Sequence, residues 1–219
     1  MPTIVSGTVP ASDLALSHSL EALPELLFEV ERIVTSGDDA LMPMLWVRGG
    51  SRAEIESALD EDPTVDDVDL LGEFDDECLF RMEWVSRIDL IMQMLTNSEA
   101  TVLDAVGKND RWKVRVLYPR RSLFSKTHDF CEEHGVEFDV SSIRELDEEP
   151  AGRYGLTSAQ YEVLSEASRR GYFKVPREVS LSELADELDI SHQAASERLR
   201  RATDALVEDT LFVGMTELE

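Results

Sequence analysis

Hydrophobic positions in residues 1–147 change repeatedly between a period of two and a period near 3.6. In the first part of this region, alternation predicts four strands, at 3–9, 27–34, 41–47 and 65–71. Helical spacing predicts one helix around Leu16 and Leu20. A second helix is predicted to begin at Ser51, with Glu54 three residues later in the capping-box pattern. The predicted order is β-α-β-β-α-β.

The same order recurs in the residues that follow. Alternation predicts strands at 78–84, 101–106, 112–118 and 136–140. Helical spacing predicts helices around Ile91 and around Phe130. Two successive βαββαβ patterns predict an α+β fold built from tandem ferredoxin-like units.

The pattern after Tyr154 is helical, apart from a connector at 171–177. Residues 148–155 are charged and then rich in proline and glycine, which predicts a linker. The sequence is therefore divided into a domain at 1–147, this linker, and an all-α domain at 156–219.

Two helices predicted at 180–190 and 191–203 fit a helix-turn-helix. The small Ala185 allows the helices to cross closely. Ala195, Leu199 and Ala202 lie at i, i+4 and i+7 and form one apolar stripe on the second helix. The alternative is an amphipathic hairpin whose outer face is simply solvated.

The polar side of the second helix suits a recognition helix in the major groove. Glutamine pairs with adenine, arginine with guanine, and a carboxylate accepts from cytosine. The residues predicted to read bases are His192, Gln193, Ser196, Glu197 and Arg200. The residues predicted to contact phosphates are Lys174, Arg177, Ser191, Arg198 and Arg201.

A net charge of −25 taken alone argues against a DNA partner, because DNA binders usually carry a basic surface. However, only four of the 21 basic residues are lysine, a composition expected of a protein working in molar salt, where carboxylates keep the surface hydrated. At about 1 M salt the Debye length is ~3 Å, so most of this charge is screened. The acidic surface therefore does not exclude nucleic acid. An ordinary acidic protein of low-salt cells is the alternative.

Other chemistry is weakly indicated. No apolar run reaches the ~20 residues of a membrane helix, and the N-terminus does not resemble a secretory signal, so a cytoplasmic protein is expected. Cys78 is expected to be a buried strand residue rather than a redox sensor. Cys131 and His134 lack a second pair that would complete a metal site. No cofactor, metal or enzymatic motif is predicted.

Two segments carry a family resemblance: GLTSAQYEVLSEASRRGYFKVPR (155–177) and LADELDISHQAASERLRRA (184–202). They resemble the C-terminal DNA-binding domain of haloarchaeal regulators related to the bacterio-opsin activator. The upstream 150 residues resemble, more distantly, the associated domain of those regulators. The resemblance implies transcriptional control in a halophilic archaeon. Two positions depart from the pattern: Asp189 replaces a frequent glycine, and Ala195 replaces a larger β-branched residue.

The sequence thus predicts a sequence-specific transcription regulator without enzymatic activity, bound to double-stranded DNA. Residues 1–147 are expected to form a homodimer or to receive a signal, which would set two recognition helices about one helical turn (~34 Å) apart. Two alternatives remain. One is a sensor whose N-terminal domain binds a small-molecule effector. The other is an adaptor whose helix-turn-helix docks on the transcription machinery.

Overall fold

The computed structural model describes residues 1–35, 41–85, 89–146 and 156–211. It contains two compact units, one formed by residues 1–145 and the other by the helices between 156 and 211. The predicted linker at 148–155 lies outside the described residues.

The first unit combines strands and helices in the predicted order. Its strands are β1 (Thr3–Pro10), β2 (Leu27–Thr35), β3 (Leu41–Arg48), β4 (Val65–Glu73), β5 (Glu77–Trp84), β6 (Thr101–Lys108), β7 (Arg111–Tyr118) and β8 (Asp139–Glu145). Its helices are α1 (Ser17–Ala22), α2 (Arg52–Asp60), α3 (Asp89–Met92), which continues as a π-helical turn, and α4 (Arg121–His134). Only the last strand is displaced, because it begins at Asp139 rather than at residue 136.

All of these strands belong to one antiparallel sheet with the order β4-β5-β3-β2-β6-β7-β1-β8. The predicted division into tandem ferredoxin-like units is therefore not confirmed. Only three residues separate β4 from β5, and the backbone N–H of Phe74 donates to the carbonyl of Glu77 (2.9 Å). So short a connection makes an antiparallel hairpin across the predicted boundary.

The sheet nevertheless has two similar halves, but the strands in each half are not those that the sequence pattern grouped together. One half has the order β4-β5-β3-β2, and the other has the order β8-β1-β7-β6. The halves are joined by three residue pairs between β2 and β6, among them Phe28 with Gly107. Strand β1 completes the second half, since it pairs with β7 on one side and with β8 on the other.

One face of the sheet carries the core of this unit. Its inward side chains alternate along the strands, as on β5, where Met82 and Trp84 are fully buried. Met44 and Trp46 lie on the opposite, half-buried face of β3 and alternate with the buried positions Pro43, Leu45 and Val47. The helices cover the inward face through apolar side chains in the same cluster: Leu20, Ile55, Leu59, Leu90, Leu123 and Phe124.

A buried carboxylate links α1 to the end of α2. Asp62 is 3% exposed, and one of its oxygens accepts from the backbone N–H of Ser19 (2.9 Å) and from the Ser19 hydroxyl (2.8 Å). The other oxygen accepts from the backbone N–H (3.0 Å) and the hydroxyl (2.6 Å) of Thr64. The hydroxyl of Thr64 in turn accepts from the N–H of Leu16 (2.9 Å). This network satisfies groups that would otherwise be buried without partners.

The second unit contains three helices, α5 (Ser158–Arg169), α6 (Leu181–Glu187) and α7 (His192–Leu211). Thr157 with Gln160 caps α5 and Ser180 with Glu183 caps α6, both as capping boxes. Helix α2 of the first unit likewise begins with the predicted box of Ser51 and Glu54.

None of the described helices is both long and apolar enough to cross a bilayer.

Candidate nucleic-acid interface

The turn between α6 and α7 has the geometry of a helix-turn-helix. Asp189 has a φ of 49°, in the left-handed region that asparagine and aspartate tolerate, so the expected substitute for glycine fits here. The N–H of Ile190 donates to the carbonyl of Ala185 (3.0 Å), which closes the end of α6. Ser191 then starts α7, because its hydroxyl accepts from the N–H of Ala194 (3.1 Å).

The apolar side of α7 is buried as predicted. Ala195 and Ala202 are fully buried, and Leu199 is 7% exposed. Leu199 packs in a cluster with Leu184 of α6, while Ala202 packs with Leu156. The side chain of Ala195 is small enough to be enclosed completely, so the departure from a larger residue leaves this helix well packed.

The opposite side of α7 presents the predicted base-reading residues to solvent. His192, Gln193, Ser196 and Arg200 are exposed, and Glu197 is half-buried. All five lie within the first nine residues of α7, the end that enters the major groove in proteins of this class.

Glu197 organises two neighbouring side chains on this surface. One of its carboxylate oxygens accepts from the side-chain amide of Gln193 (3.1 Å). The other accepts from the guanidinium of Arg201 (3.1 Å). Both partners are one helical turn away, so the three side chains form a row along α7. Within the described part of the chain, Arg198 and Arg200 have no ion-pair partner.

The predicted phosphate contacts lie in two places. Ser191, Arg198 and Arg201 are on α7, where Ser191 is already used as the cap. Lys174 and Arg177 lie on the exposed connector between α5 and α6. Their own partners were not visible in the sequence pattern.

Both connector cations are held by neighbouring side chains. The ammonium of Lys174 lies 2.9 and 3.0 Å from the two carboxylate oxygens of Glu178. The guanidinium of Arg177 lies 4.6 Å from the centre of the Tyr172 ring, a cation–π contact. To bind a phosphate, Lys174 would therefore have to leave the carboxylate of Glu178.

The same connector exposes two apolar side chains to which the sequence analysis assigned no role. Phe173 is 53% exposed and Val175 is 98% exposed. The available signal was their position, because apolar residues between Gly171 and Pro176 interrupt an otherwise polar connector.

Among the described residues of this unit, Glu183 in the cap of α6 is the one whose pKa is shifted by its surroundings. The backbone N–H and the hydroxyl of Ser180 both donate to Glu183 (2.7 Å each), and these bonds lower the pKa of that carboxyl. Glu183 is therefore ionised at neutral pH.

The first unit also contains thiols and possible metal-binding side chains. The two thiols are buried, and the possible metal-binding side chains on α4 are exposed. Cys78 and Cys131 are buried free thiols, and burial raises the pKa of both, to about 11 for Cys131. His134 is exposed, and its Nδ1 lies 2.9 Å from the carbonyl of Phe130. His128, Asp129 and Glu132 group their donor atoms within 4.8 Å on the exposed side of α4. Exposed acidic groups of this kind are common without a metal.

The turn between α6 and α7, the buried apolar side of α7 and its exposed polar face define a helix-turn-helix DNA-binding domain. The family model described as "HTH DNA binding domain" (HTH_10) matches residues 156–208. Residues 9–156 match the model described as "GAF and HTH_10 associated domain", and the chain belongs to this family. The resemblance to regulators of the bacterio-opsin activator type is thereby confirmed.

Two relatives from Haloferax volcanii are similar to parts of the chain. One is "Transcriptional regulator NarO", which is 37% identical over 86 residues, covering 35% of this chain and 41% of the relative. The other is "Dimethyl sulfoxide reductase transcriptional activator", which is 28% identical over 136 residues, covering 62% of this chain and 57% of the relative. The chain therefore spans about half the length of these curated relatives.

Proposed function

We propose that the protein is a DNA-binding transcription regulator of a halophilic archaeon. In this proposal α7 enters the major groove, where His192, Gln193, Ser196, Glu197 and Arg200 read base edges. Lys174, Arg177, Ser191, Arg198 and Arg201 contact phosphates. Its role is regulatory rather than enzymatic, and DNA binding would place it in the cytoplasm.

The observation that carries the proposal is the division of α7 into two sides. Ala195, Leu199 and Ala202 fix the helix in the unit, while Gln193 and Arg200 project from its exposed side. A long, polar, exposed helix start on a rigid support is what major-groove reading requires. The two Haloferax volcanii relatives are named as a transcriptional regulator and a transcriptional activator, which supports the same conclusion for this chain.

The test is a fluorescence anisotropy titration of the full chain in molar KCl against genomic fragments, including the one upstream of its own coding sequence. The variant Gln193→Ala with Arg200→Ala is compared with the wild type. We expect saturable binding to a small set of fragments. The double variant should lose about 1–3 kcal/mol for each base contact removed.

Arg144→Ala is the matched control, because it removes one exposed positive charge from the first unit. We expect it to leave affinity for the bound fragment unchanged. If no fragment binds at any KCl concentration at which the protein is folded, the DNA-reading proposal fails, and docking on the transcription machinery becomes the better explanation.

We further propose that residues 1–147 assemble the protein as a homodimer. The support is indirect: a dimer places two recognition helices on successive turns of DNA, ~34 Å apart, and gives the associated domain a purpose. Size-exclusion chromatography with light scattering, free and on a bound fragment, tests this part. A monomer in both samples would contradict the dimer and leave DNA reading intact.

A further inference from the structure

The connector between α5 and α6 carries an apolar surface that the fold does not use. Val175 extends into solvent, and Phe173 is half exposed with its ring edge-to-face against Tyr172 (5.2 Å between ring centres). Tyr172 in turn packs against the core of the unit. Neighbouring apolar side chains held in water on an ordered segment are a feature of contact surfaces.

The connector is held in a defined conformation. Gly171 has a φ of 75°, a value that favours glycine. The carbonyl of Gly171 accepts from the N–H of Lys174 (3.1 Å) and from that of Glu178 (3.2 Å). The N–H of Tyr172 donates to the carbonyl of Ala167 in α5 (2.9 Å). Phe173 is therefore presented at a fixed position and carries little ordering cost on binding.

The charge of this segment indicates what it contacts. Residues 169–177 contain four cations and no carboxylate, in a chain with a net charge of −25. Three of the four pair with carboxylates outside the segment: Arg169 with Glu166, Arg170 with Glu187 and Lys174 with Glu178. Among the described residues Arg177 has no ion-pair partner, and its guanidinium lies over the Tyr172 ring. Lys174 and Arg177 lie next to the two exposed apolar residues in the sequence. A cationic loop with apolar tips is complementary to a DNA duplex, because minor-groove contacts commonly combine Arg or Lys with apolar side chains that pack between base steps.

The position of the connector in the domain agrees with this partner. It joins the first two helices of a three-helix unit whose third helix is α7. In homeodomains, the loop between helices 1 and 2 contacts the DNA backbone while helix 3 occupies the major groove. A loop in this position has access to the groove that adjoins the one being read.

We propose that Phe173 and Val175 form a second DNA contact, packing against the minor groove beside the major groove that α7 reads. Lys174 and Arg177 neutralise the phosphates that border it. Lys174 exchanges Glu178 for a phosphate oxygen in the process. The inference rests on the proposed DNA binding and adds a contact outside the recognition helix.

The experiment compares a double variant, which carries both Phe173→Ser and Val175→Ser, with the wild type. Both proteins are used as the full chain. Affinity is measured for the genomic fragment that the wild type binds, over a range of KCl in which both proteins are folded. We expect affinity to fall by about tenfold or more, as expected when a bound aromatic side chain is lost. The slope of log affinity against log KCl should not change, because an apolar contact releases no counterions.

Two further variants complete the comparison. Lys174→Ala should reduce the salt slope by about one, since it removes a phosphate contact. Val175→Ser alone separates binding from folding, because its side chain is 98% exposed and supports no packing. Leu71→Ser with Ile143→Ser is the control, as it removes two exposed apolar side chains from the first unit.

The outcomes are distinct. Wild-type affinity in the Phe173/Val175 variant overturns the inference while DNA reading by α7 stands. If that variant binds DNA normally and fails to regulate a reporter gene, the apolar pair contacts a protein instead, which also overturns the inference. If the wild type binds no fragment, the proposed function fails and this contact fails with it.

Discussion

Glu197 accepts a hydrogen bond from the side-chain amide of Gln193, one turn earlier on the exposed side of α7 (Nε2 to Oε1, 3.1 Å). Its carboxylate thus fixes the orientation of a proposed base-reading group and repels phosphates. We predict that Glu197→Ala raises affinity for unrelated duplexes and lowers discrimination at the contacted base pair by about 1–3 kcal/mol. Anisotropy titrations of bound and unrelated fragments at equal KCl measure both quantities.

Glu162→Ala is the matched control for Glu197→Ala, because it removes the same charge from an exposed position on α5. An equal rise in affinity for both variants would mean that net charge alone acts. A specific role for Glu197 requires that discrimination falls only in its own variant.

Asp62 makes a different prediction, for stability of the first unit. Asp62→Ala removes the acceptor of four hydrogen bonds from Ser19 and Thr64. The hydroxyl of Ser19 can still donate to the carbonyl of Ala58 (3.2 Å), whereas the other three buried donors lose this acceptor. We expect the free energy of unfolding to fall by about 2–4 kcal/mol, since each unsatisfied buried donor costs ~1–3 kcal/mol. Calorimetry in molar KCl measures the loss. Asp60→Ala, which removes an exposed carboxylate nearby, should change little, and an equal loss in both would contradict the role of the network.

The two thiols are predicted to be unreactive in the folded protein. Burial raises the pKa of Cys78 and raises that of Cys131 to about 11. At pH 8 we expect a thiol reagent to label neither cysteine in native protein and to label both in denaturant. The folded-state pKa of Cys131 is raised above its usual 9.0, so the unfolded protein loses this proton at a lower pH than the folded protein does. The contribution of this thiol to the free energy of unfolding is therefore fully present below pH 9 and is lost as pH rises towards 11.

The measurement is the unfolding temperature between pH 8 and pH 11, for the wild type and for Cys131→Ala. The wild type should lose stability more steeply than the variant over this range. Rapid labelling of the native protein at pH 8 would show that the thiols are accessible and would contradict the prediction.

The cap of α6 gives the second unit an acid dependence. Ser180 lowers the pKa of Glu183 below its ordinary 4.5 through two hydrogen bonds to the carboxylate. The stabilisation is therefore present above pH 4.5 and is lost as pH falls through the lowered folded-state value. We predict that Glu183→Gln weakens this acid dependence of helix content, followed by circular dichroism. Equal acid transitions in both proteins would exclude a contribution from the cap.

Local features of the fold were predictable because their causes are local. The alternation around Phe80 and Met82 and the box of Ser51 and Glu54 determine a strand and a helix start without reference to the rest of the chain. Strand pairing has no such local signal. Every strand alternates in the same way, so the pattern did not show that β1 pairs with β7, more than a hundred residues later.

The same distinction applies to the DNA-binding unit. Asp189, Ala195 and Leu199 were placed correctly because turn chemistry and helical period determine them. The engagement of Lys174 by Glu178 depends on the folding of the connector, which no periodicity describes. For the same reason, the position of Val175 between Gly171 and Pro176 was a signal in the sequence, but the extent of its exposure depends on how the connector folds.

The position of β1 has a consequence for how the protein is made. Its two neighbours, β7 and β8, begin at Arg111 and Asp139, so β1 leaves the ribosome long before either exists. At 5–20 residues per second the wait is on the order of 10 s. During that time an apolar strand with unpaired backbone groups is open to association with other nascent chains. The last strand to be made therefore pairs with β1, and of the described strands β1 waits longest for its partners, exposed to proteins that bind nascent chains.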